Sequence, residues 1–359
     1  MYLRGFGLGL YNQIWLLITV SVFVITVLFY EMKIDRFENN RISLEASLAR
    51  YQKLEGVNQK QALRNNSFLH DDAIIVYNRV PKTASTSFVN IAYDLCKRNG
   101  FNVLHLNITG NLHIMSLADQ ARFIWNVTHW DVKKPAFYHG HVGFIDFQRF
   151  GSTQRPIYIN LLRRPLDRLV SYYYFLRFGD NYRPHLVRRK HGDKMTFDEC
   201  VEQDLPDCNP DQMWLQIPFL CGHSADCWTP GNAWALEEAK RNLISQYLVV
   251  GVMEQLSDFI AILEATLPGF FRGAVEHFKH SKKAHLRKTN QKLKPKESTI
   301  KKIEESRVWK MENELYEFAL EQFEFLKRKM TVNKDGELID KGQQFMYEKI
   351  SPKSQSKYS

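Results

Sequence analysis

Two histidines two positions apart, His139 and His141, and a lysine in a hydroxyl-rich turn, Lys82, are the side chains of this chain best suited to moving a proton and holding an anion. In Phe137-Tyr138-His139-Gly140-His141-Val142 the spacing predicts both imidazoles on one face of a strand. An imidazole titrating near neutrality suits a general base that takes a proton from an attacking hydroxyl. A metal pair is the competing use, but no third ligand stands at a characteristic spacing, and ordinary structural histidines are the third reading. Lys82 lies in Arg79-Val80-Pro81-Lys82-Thr83-Ala84-Ser85-Thr86-Ser87. A helix starting near Ser87 aims unpaired N–H groups and a positive dipole end at Thr83 to Ser87, where Lys82 reaches the same anion. A nucleotide kinase would carry GxxxxGK[ST]. This turn has no glycine, so it resembles a P-loop in mechanics without being a Walker sequence.

Such groups need a frame that brings them to one place. Ile74, Ile75 and Val76 read as a strand buried on both faces, Pro81 fixes the turn, and Ser87 to Cys96 carry Phe88, Ala92 and Leu95 on a helical period. A second strand-to-helix passage is predicted over Ile157 to Leu176, with Pro165 as a first helical residue after Arg163. Tyr247 to Met253 reads as a further strand, and Trp309 to Lys327, apolar around much of its circumference, as a deeply packed helix. Strands and helices alternating from Asp71 onward predict an α/β fold, a parallel sheet covered by helices. In such sheets ligands sit at the carboxyl ends of the strands, so Arg79 and Lys82 from one passage and Arg163 and Ser171 from the other should grip two anionic groups of one nucleotide. Pairing of Arg163 with Asp167 on its own helix start is the plainer alternative.

The 359 residues divide unevenly. Residues 1–13 form a short tail, and Ile14 to Tyr30 is an uncharged apolar run at the lower end of what spans a bilayer, suiting a thin early-secretory membrane. Tyr30-Glu31-Met32 lacks the small residues of a cleavage site, so the span reads as a retained anchor. Residues 31–70 are a polar stalk with, at best, a weak coiled coil, residues 71–350 the folded domain, and residues 351–359 a polar tail. Lys33, Arg36 and Arg41 after the span outnumber Arg4 before it, which alone would leave the domain in the cytosol. Glycosylation sequons at Asn107 and Asn126, with another at Asn65 in the stalk, argue for a lumenal domain instead. The close cysteine pairs agree. Cys200 with Cys208 and Cys221 with Cys227 stand as small disulfide loops would, although sequence permits three pairings and zinc is a rival use. Cys96 is left over as a buried free thiol.

A net charge of +10 points to a polyanionic partner. Arg177, Arg183, Arg188, Arg189 and Lys190 follow the second helix, with Phe178 and Tyr182 interleaved. Nucleic acid could use such a stretch, but a lumenal protein meets acidic glycans, whose carboxylates and sulfates Arg grips equally well.

RVPKTASTSF, FYHGH and RRPLDRLVSYYYFLRFGD resemble the heparan sulfate 2-O-sulfotransferases, over about Ile74 to Ile350. The resemblance implies a P-loop-like sulfotransferase fold, a single-pass type II Golgi anchor with a lumenal catalytic domain, and a homotrimer. The implied reaction moves sulfate from 3'-phosphoadenosine 5'-phosphosulfate (PAPS) to the 2-hydroxyl of iduronic acid, less often glucuronic acid, in heparan sulfate, with neither a metal nor a nucleic acid involved. Position by position, it implies Lys82, with Arg79 and the turn Thr83, Ala84, Ser85, Thr86 and Ser87, at the 5'-phosphosulfate. It implies Arg163, Ser171, Arg287 and Thr289 at the 3'-phosphate, His141 as the base and His139 beside it. Arg177, Arg183 and Arg188, with Tyr93, are then the glycan contacts, and Cys200–Cys208 and Cys221–Cys227 the disulfides. A uronyl 2-O-sulfotransferase acting on dermatan or chondroitin sulfate, or a Golgi glycan-binding protein without catalysis, are the alternatives.

Overall fold

The structure, a computed structural model, describes residues 72–180, 183, 185–280, 291–332, 338 and 339. The expected anchor, the stalk with Asn65, the site candidates Arg287 and Thr289, and the C-terminal tail lie outside the described residues. Among the described residues no helix is long and apolar enough to cross a membrane.

Five strands, β1 (Ile74–Asn78), β2 (Asn102–Leu106), β3 (Ala136–Gly140), β4 (Ile157–Leu162) and β5 (Tyr247–Val252), form a parallel sheet in the order β2-β3-β1-β4-β5. Every residue of β1 and β3 is buried, as expected for strands covered by helices on both faces. The main helices are α1 (Ser85–Asn99), α2 (Leu117–His129), α3 (Pro165–Phe178), α4 (Ala233–Ser245), α5 (Leu256–Thr266) and α6 (Arg307–Lys329). Thr331–Val332 and Leu338–Ile339 form a small antiparallel pair.

The strand order decides where a ligand can bind. From β1 the chain runs out to β2 and returns as β3 between them, whereas β4 and β5 lie on the other side of β1. The order therefore reverses beside β1, and the crevice outside the carboxyl ends of β1 and β4 is the expected ligand site. Pairing of Ile75 with Ile157 and Tyr77 with Ile159 brings the residue 79–84 turn next to residues 163 and 164.

Both predicted passages form. α1 begins at Ser85, two residues earlier than its apolar period suggests, and buries Phe88, Ile91, Ala92 and Leu95. It ends at Gly100 in a left-handed conformation, whose N–H bonds to the Cys96 carbonyl. Pro165 opens α3, where a missing N–H costs nothing. Beneath the crevice a buried amide network fixes the strand ends. Asn160 donates to the carbonyl and the side-chain oxygen of Asn78 at 2.9 and 3.0 Å, Tyr247 donates to the same side-chain oxygen at 2.9 Å, and Asn78 donates to the Phe219 carbonyl at 2.9 Å.

Two expectations need correction. The helix over Trp309 to Lys327 is not packed all round: α6 buries one stripe, Val308, Met311, Leu315, Tyr316, Ala319 and Phe323, while Phe325 is exposed. Cys96 is half-buried rather than buried, and its thiol donates to the Tyr93 carbonyl of the preceding turn at 3.1 Å. The cysteines close as Cys200–Cys208 and Cys221–Cys227.

Candidate active site

The turn after β1 is built to face an anion. Lys82 and Ala84, neither of them glycine, hold left-handed backbone angles, φ 69° and 58°. Such residues cost on the order of 1 kcal/mol each and are kept where the surroundings impose them. Left-handed turn residues converge successive N–H groups into an anion-binding concavity. The helix start adds to it: α1 is capped by Ala84 without a side-chain bond, and its first turn carries no acidic residue. Thr83 is fully buried, and its hydroxyl donates to the Val80 carbonyl at 2.9 Å, so it closes the turn instead of facing a ligand. Ser85 and Ser87 are buried beneath the same turn, with Ala84 and Thr86 half-buried.

Arg163 joins this turn from the end of β4. Its guanidinium donates to the Lys82 carbonyl at 3.1 Å. The expected alternative, an ion pair with Asp167, is not how the helix start is arranged: the Asp167 carboxylate faces Lys292, 4.0 Å away. Burial, with the nearby Arg163 charge second, lowers the affinity of Lys292 for its proton, so two cations sit close together beside the turn. Burial likewise lowers that of Arg163, offset in part by Asp167 and Glu254. Ser171, 9% exposed, lies on α3 behind them. Lys292 had no signal in the sequence, where it is one of many lysines. The residues present fit a bisphosphorylated donor: one anion at the helix start, a second against Arg163 and Lys292.

α3 also supplies a platform. The Lys82 ammonium lies 4.0 Å from the centroid of the Phe175 ring and the Arg188 guanidinium 4.3 Å from it. Arg188 also stands 3.7 Å from Asp180, and the exposed Arg183 donates its backbone N–H to the same carboxylate at 3.2 Å. Arg177 is a correction. It is 1% exposed, its guanidinium pairs with Asp193 and Asp207 at 2.8 and 3.0 Å and stacks on Tyr173, so it ties loops to α3 and cannot meet a glycan chain.

The histidines divide their work. β3 ends at Gly140, so they do not share a continuous strand as expected. A Cβ at Gly140 would stand 2.5 Å from the Leu106 carbonyl oxygen, which demands glycine where β3 passes β2. His139 is 3% exposed, stacks on His105 at 4.9 Å and shares a hydrogen bond of 3.0 Å with the Tyr93 hydroxyl. Burial first, then the charges of Arg79, His105 and His141, push its pKa down to about 3. It is neutral at any physiological pH. His141, half-buried in the loop, donates Nδ1–H to the Arg79 carbonyl at 2.8 Å. A carbonyl can only accept, so the neutral tautomer carries its proton on Nδ1 and its lone pair on Nε2. Tyr93 is 44% exposed on α1, and the sequon residues Asn107 and Asn126 are exposed. Among the described residues no group of three or more His, Cys, Asp or Glu side chains could hold a metal ion.

The arrangement thus sets the turn of Arg79 and Lys82 and the imidazole of His141 together at the carboxyl ends of neighbouring strands, which suits transfer of an anionic group to a hydroxyl. A profile of the sulfotransferase family matches residues 65–319. Heparan sulfate 2-O-sulfotransferase 1 of Gallus gallus is 56% identical over 346 residues, covering 94% of this chain and 96% of that protein. Its namesake in Homo sapiens is 54% identical over 343 residues, with the same coverage. Heparin sulfate O-sulfotransferase of Drosophila melanogaster is 60% identical over 280 residues, covering 78% of this chain and 79% of that protein. Motifs, fold and crevice agree with these likenesses, and the chain belongs to the sulfotransferase family, in the group of the heparan sulfate 2-O-sulfotransferases.

Proposed function

We propose that this protein transfers sulfate from PAPS to the 2-hydroxyl of a uronic acid in heparan sulfate, iduronic acid in preference to glucuronic acid, with His141 as general base. The observation that carries this reading is the bond from His141 Nδ1 to the Arg79 carbonyl, which ties the base to the turn that holds Lys82. PAPS supplies an activated sulfuryl group. Residues 82–87 and the start of α1 bind its 5'-phosphosulfate, and Arg163, Ser171 and Lys292, with Arg287 and Thr289, bind the 3'-phosphate. His141 Nε2 takes the proton of the sugar hydroxyl as its oxygen attacks sulfur in line. Lys82 stabilises the charge growing on the departing phosphate oxygen, where a fixed cation in a water-poor site is most effective. His139 keeps the Tyr93 hydroxyl in place, and Arg183 and Arg188 hold the acidic chain. Exposed sequons and two disulfides support a lumenal domain of a single-pass Golgi membrane protein. By family likeness it works as a homotrimer.

Labelled-sulfate transfer by the full chain to 2-O-desulfated heparan, dermatan and chondroitin, followed by disaccharide analysis, tests the acceptor. Label on the uronic acid of heparan is expected. Label mainly in dermatan or chondroitin would reassign the acceptor, and heparin binding without transfer would make the protein a binding module. His141→Ala should lose on the order of 10²–10⁴ in turnover while still binding adenosine 3',5'-bisphosphate.

A further inference from the structure

Because β3 stops at Gly140, the backbone presenting His141 is a loop, held by something other than the sheet. Two further imidazoles hold it. His113 donates Nδ1–H to the His141 carbonyl at 3.0 Å, and its own carbonyl accepts the Gly143 amide at 2.9 Å. His223 accepts the Met115 amide on Nδ1 at 3.0 Å, which places its proton on Nε2, and donates that proton to the Gly143 carbonyl at 3.2 Å. Residues 113–115 and 141–143 are thereby locked into one unit.

That unit rests on a small covalent loop. His223 sits inside the Cys221–Cys227 bridge and Trp228 just beyond it. Trp228 stacks on His113 with 22° between the ring planes and donates its indole N–H to the Gly222 carbonyl at 2.9 Å. A Cβ at Gly143 would come within 2.9 Å of that same carbonyl oxygen, so the two loops meet backbone to backbone. Phe144 extends the contact by donating its N–H to Phe219 at 2.9 Å.

We propose that His113 and His223, braced by the Cys221–Cys227 loop, are positioning residues for His141, fixing the main chain from which the base reaches the acceptor hydroxyl. The inference rests on the reading of His141 as the base. The bond to Arg79 orients the ring, whereas these two residues set where the ring starts from. Misplacement by about 1 Å is enough to cost on the order of 10²-fold in rate.

The test is a set of cycles in the full chain: His113→Ala, His223→Ala and His223→Gln, each alone and combined with His141→Ala. Singly, the two alanine variants should lose about 10- to 100-fold in kcat, with KM for donor and acceptor and the Kd of adenosine 3',5'-bisphosphate unchanged. His223→Gln, whose carboxamide both accepts and donates, should regain much of the loss. In the His141→Ala background the second substitution should leave the residual turnover nearly unchanged, since there is no base left to position. Equal losses in both backgrounds, a parallel change in KM or nucleotide affinity, or an unaltered kcat in the folded single variants would each overturn the positioning role. Failure of both His113→Ala and His223→Gln to fold would do so too, by making the imidazoles structural. Undiminished turnover in His141→Ala alone would remove the base itself, a result distinguishable from all the others.

Discussion

Arg177 and Arg183, six positions apart in one basic stretch, illustrate how surroundings decide what a guanidinium does. Arg177 is enclosed between Asp193 and Asp207, and although burial raises the Asp207 carboxyl, bonds from Lys190 and Arg177 hold it below its ordinary value. Removing the buried guanidinium leaves Asp193 without this partner and Asp207 with Lys190, carboxylates that solvent partly reaches, so Arg177→Met should cost about 1–2 kcal/mol in stability and leave heparin retention, measured on the folded fraction, unchanged. Arg183→Ala should do the reverse, keeping the melting temperature and lowering retention. Weaker retention by folded Arg177→Met would restore it to the glycan surface. Phe175 makes a subtler case, since Lys82 and Arg188 both lie over its ring. Phe175→Leu keeps the bulk and loses the quadrupole, worth about 1 kcal/mol per cation, and should lower kcat roughly fivefold. An unchanged kcat would mean that the turn holds Lys82 without the ring.

At the level of elements, the donor site depends on contacts that join distant parts of the chain. The Arg163 amide donates to Gln216 Oε1 at 2.8 Å, and Gln216 donates to Glu312 of α6 at 3.2 Å. Glu312, fully buried, also accepts the amides of Leu215 and Ile217 at the start of the short helix Gln216–Cys221, a favourable place for a carboxylate. Burial raises its pKa, opposed first by the Arg168 charge. Gln216→Leu leaves the Arg163 amide without its acceptor, a defect of about 1–2 kcal/mol that is relieved by shifting residue 163. Calorimetry should then show adenosine 3',5'-bisphosphate bound roughly 5- to 30-fold more weakly, and unaltered affinity in folded protein would disconnect Gln216 from the donor site. Such relays explain what could be read from the residues alone. The strand, turn and helix of Ile74–Cys96 and of Ile157–Leu176 were legible because their signals are local: apolar runs, a proline at a helix start, hydroxyls at a helix N-terminus. Lys292, Gln216, Glu312 and His223 were not, because their roles arise from partners far along the chain. α6 misled for a related reason, placing an acid, Glu312, on its buried stripe and an aromatic residue, Phe325, in water. The pairings Cys200–Cys208 and Cys221–Cys227, left open by spacing, follow from which loops the fold brings together.

For the molecule as a whole, the same neutral histidines that build the site set its tolerance of acid. Burial, followed by the charges of Arg79, His105 and His141, brings His139 down to about 3; burial brings His223 down to about 4 against the opposing bond to Gly143, and lowers His113 as well. In the unfolded chain each would bind a proton below about pH 6.5. Between that value and the depressed one the unfolded state therefore carries more protons, so stability is fully present above neutrality and falls as the pH falls. Each histidine contributes a slope of about 1.4 kcal/mol per pH unit at most, so His139 and His223 together approach about 2–3 kcal/mol per unit between pH 6 and 4. The carboxylates held low, Asp207 among them, come into play only below that window, and the net charge of +10 grows on acidification and adds self-repulsion. Urea denaturation at pH 7.5, 6.5, 5.5 and 4.5 should accordingly show a plateau, then a decline beginning near pH 6.5. His223→Gln cannot titrate, and its decline should be shallower by about one histidine's share. Equal stability at pH 7.5 and 4.5, or the same slope in the variant, would mean that these imidazoles take up protons as readily in the folded protein as in the unfolded chain, and that burial does not hold them neutral.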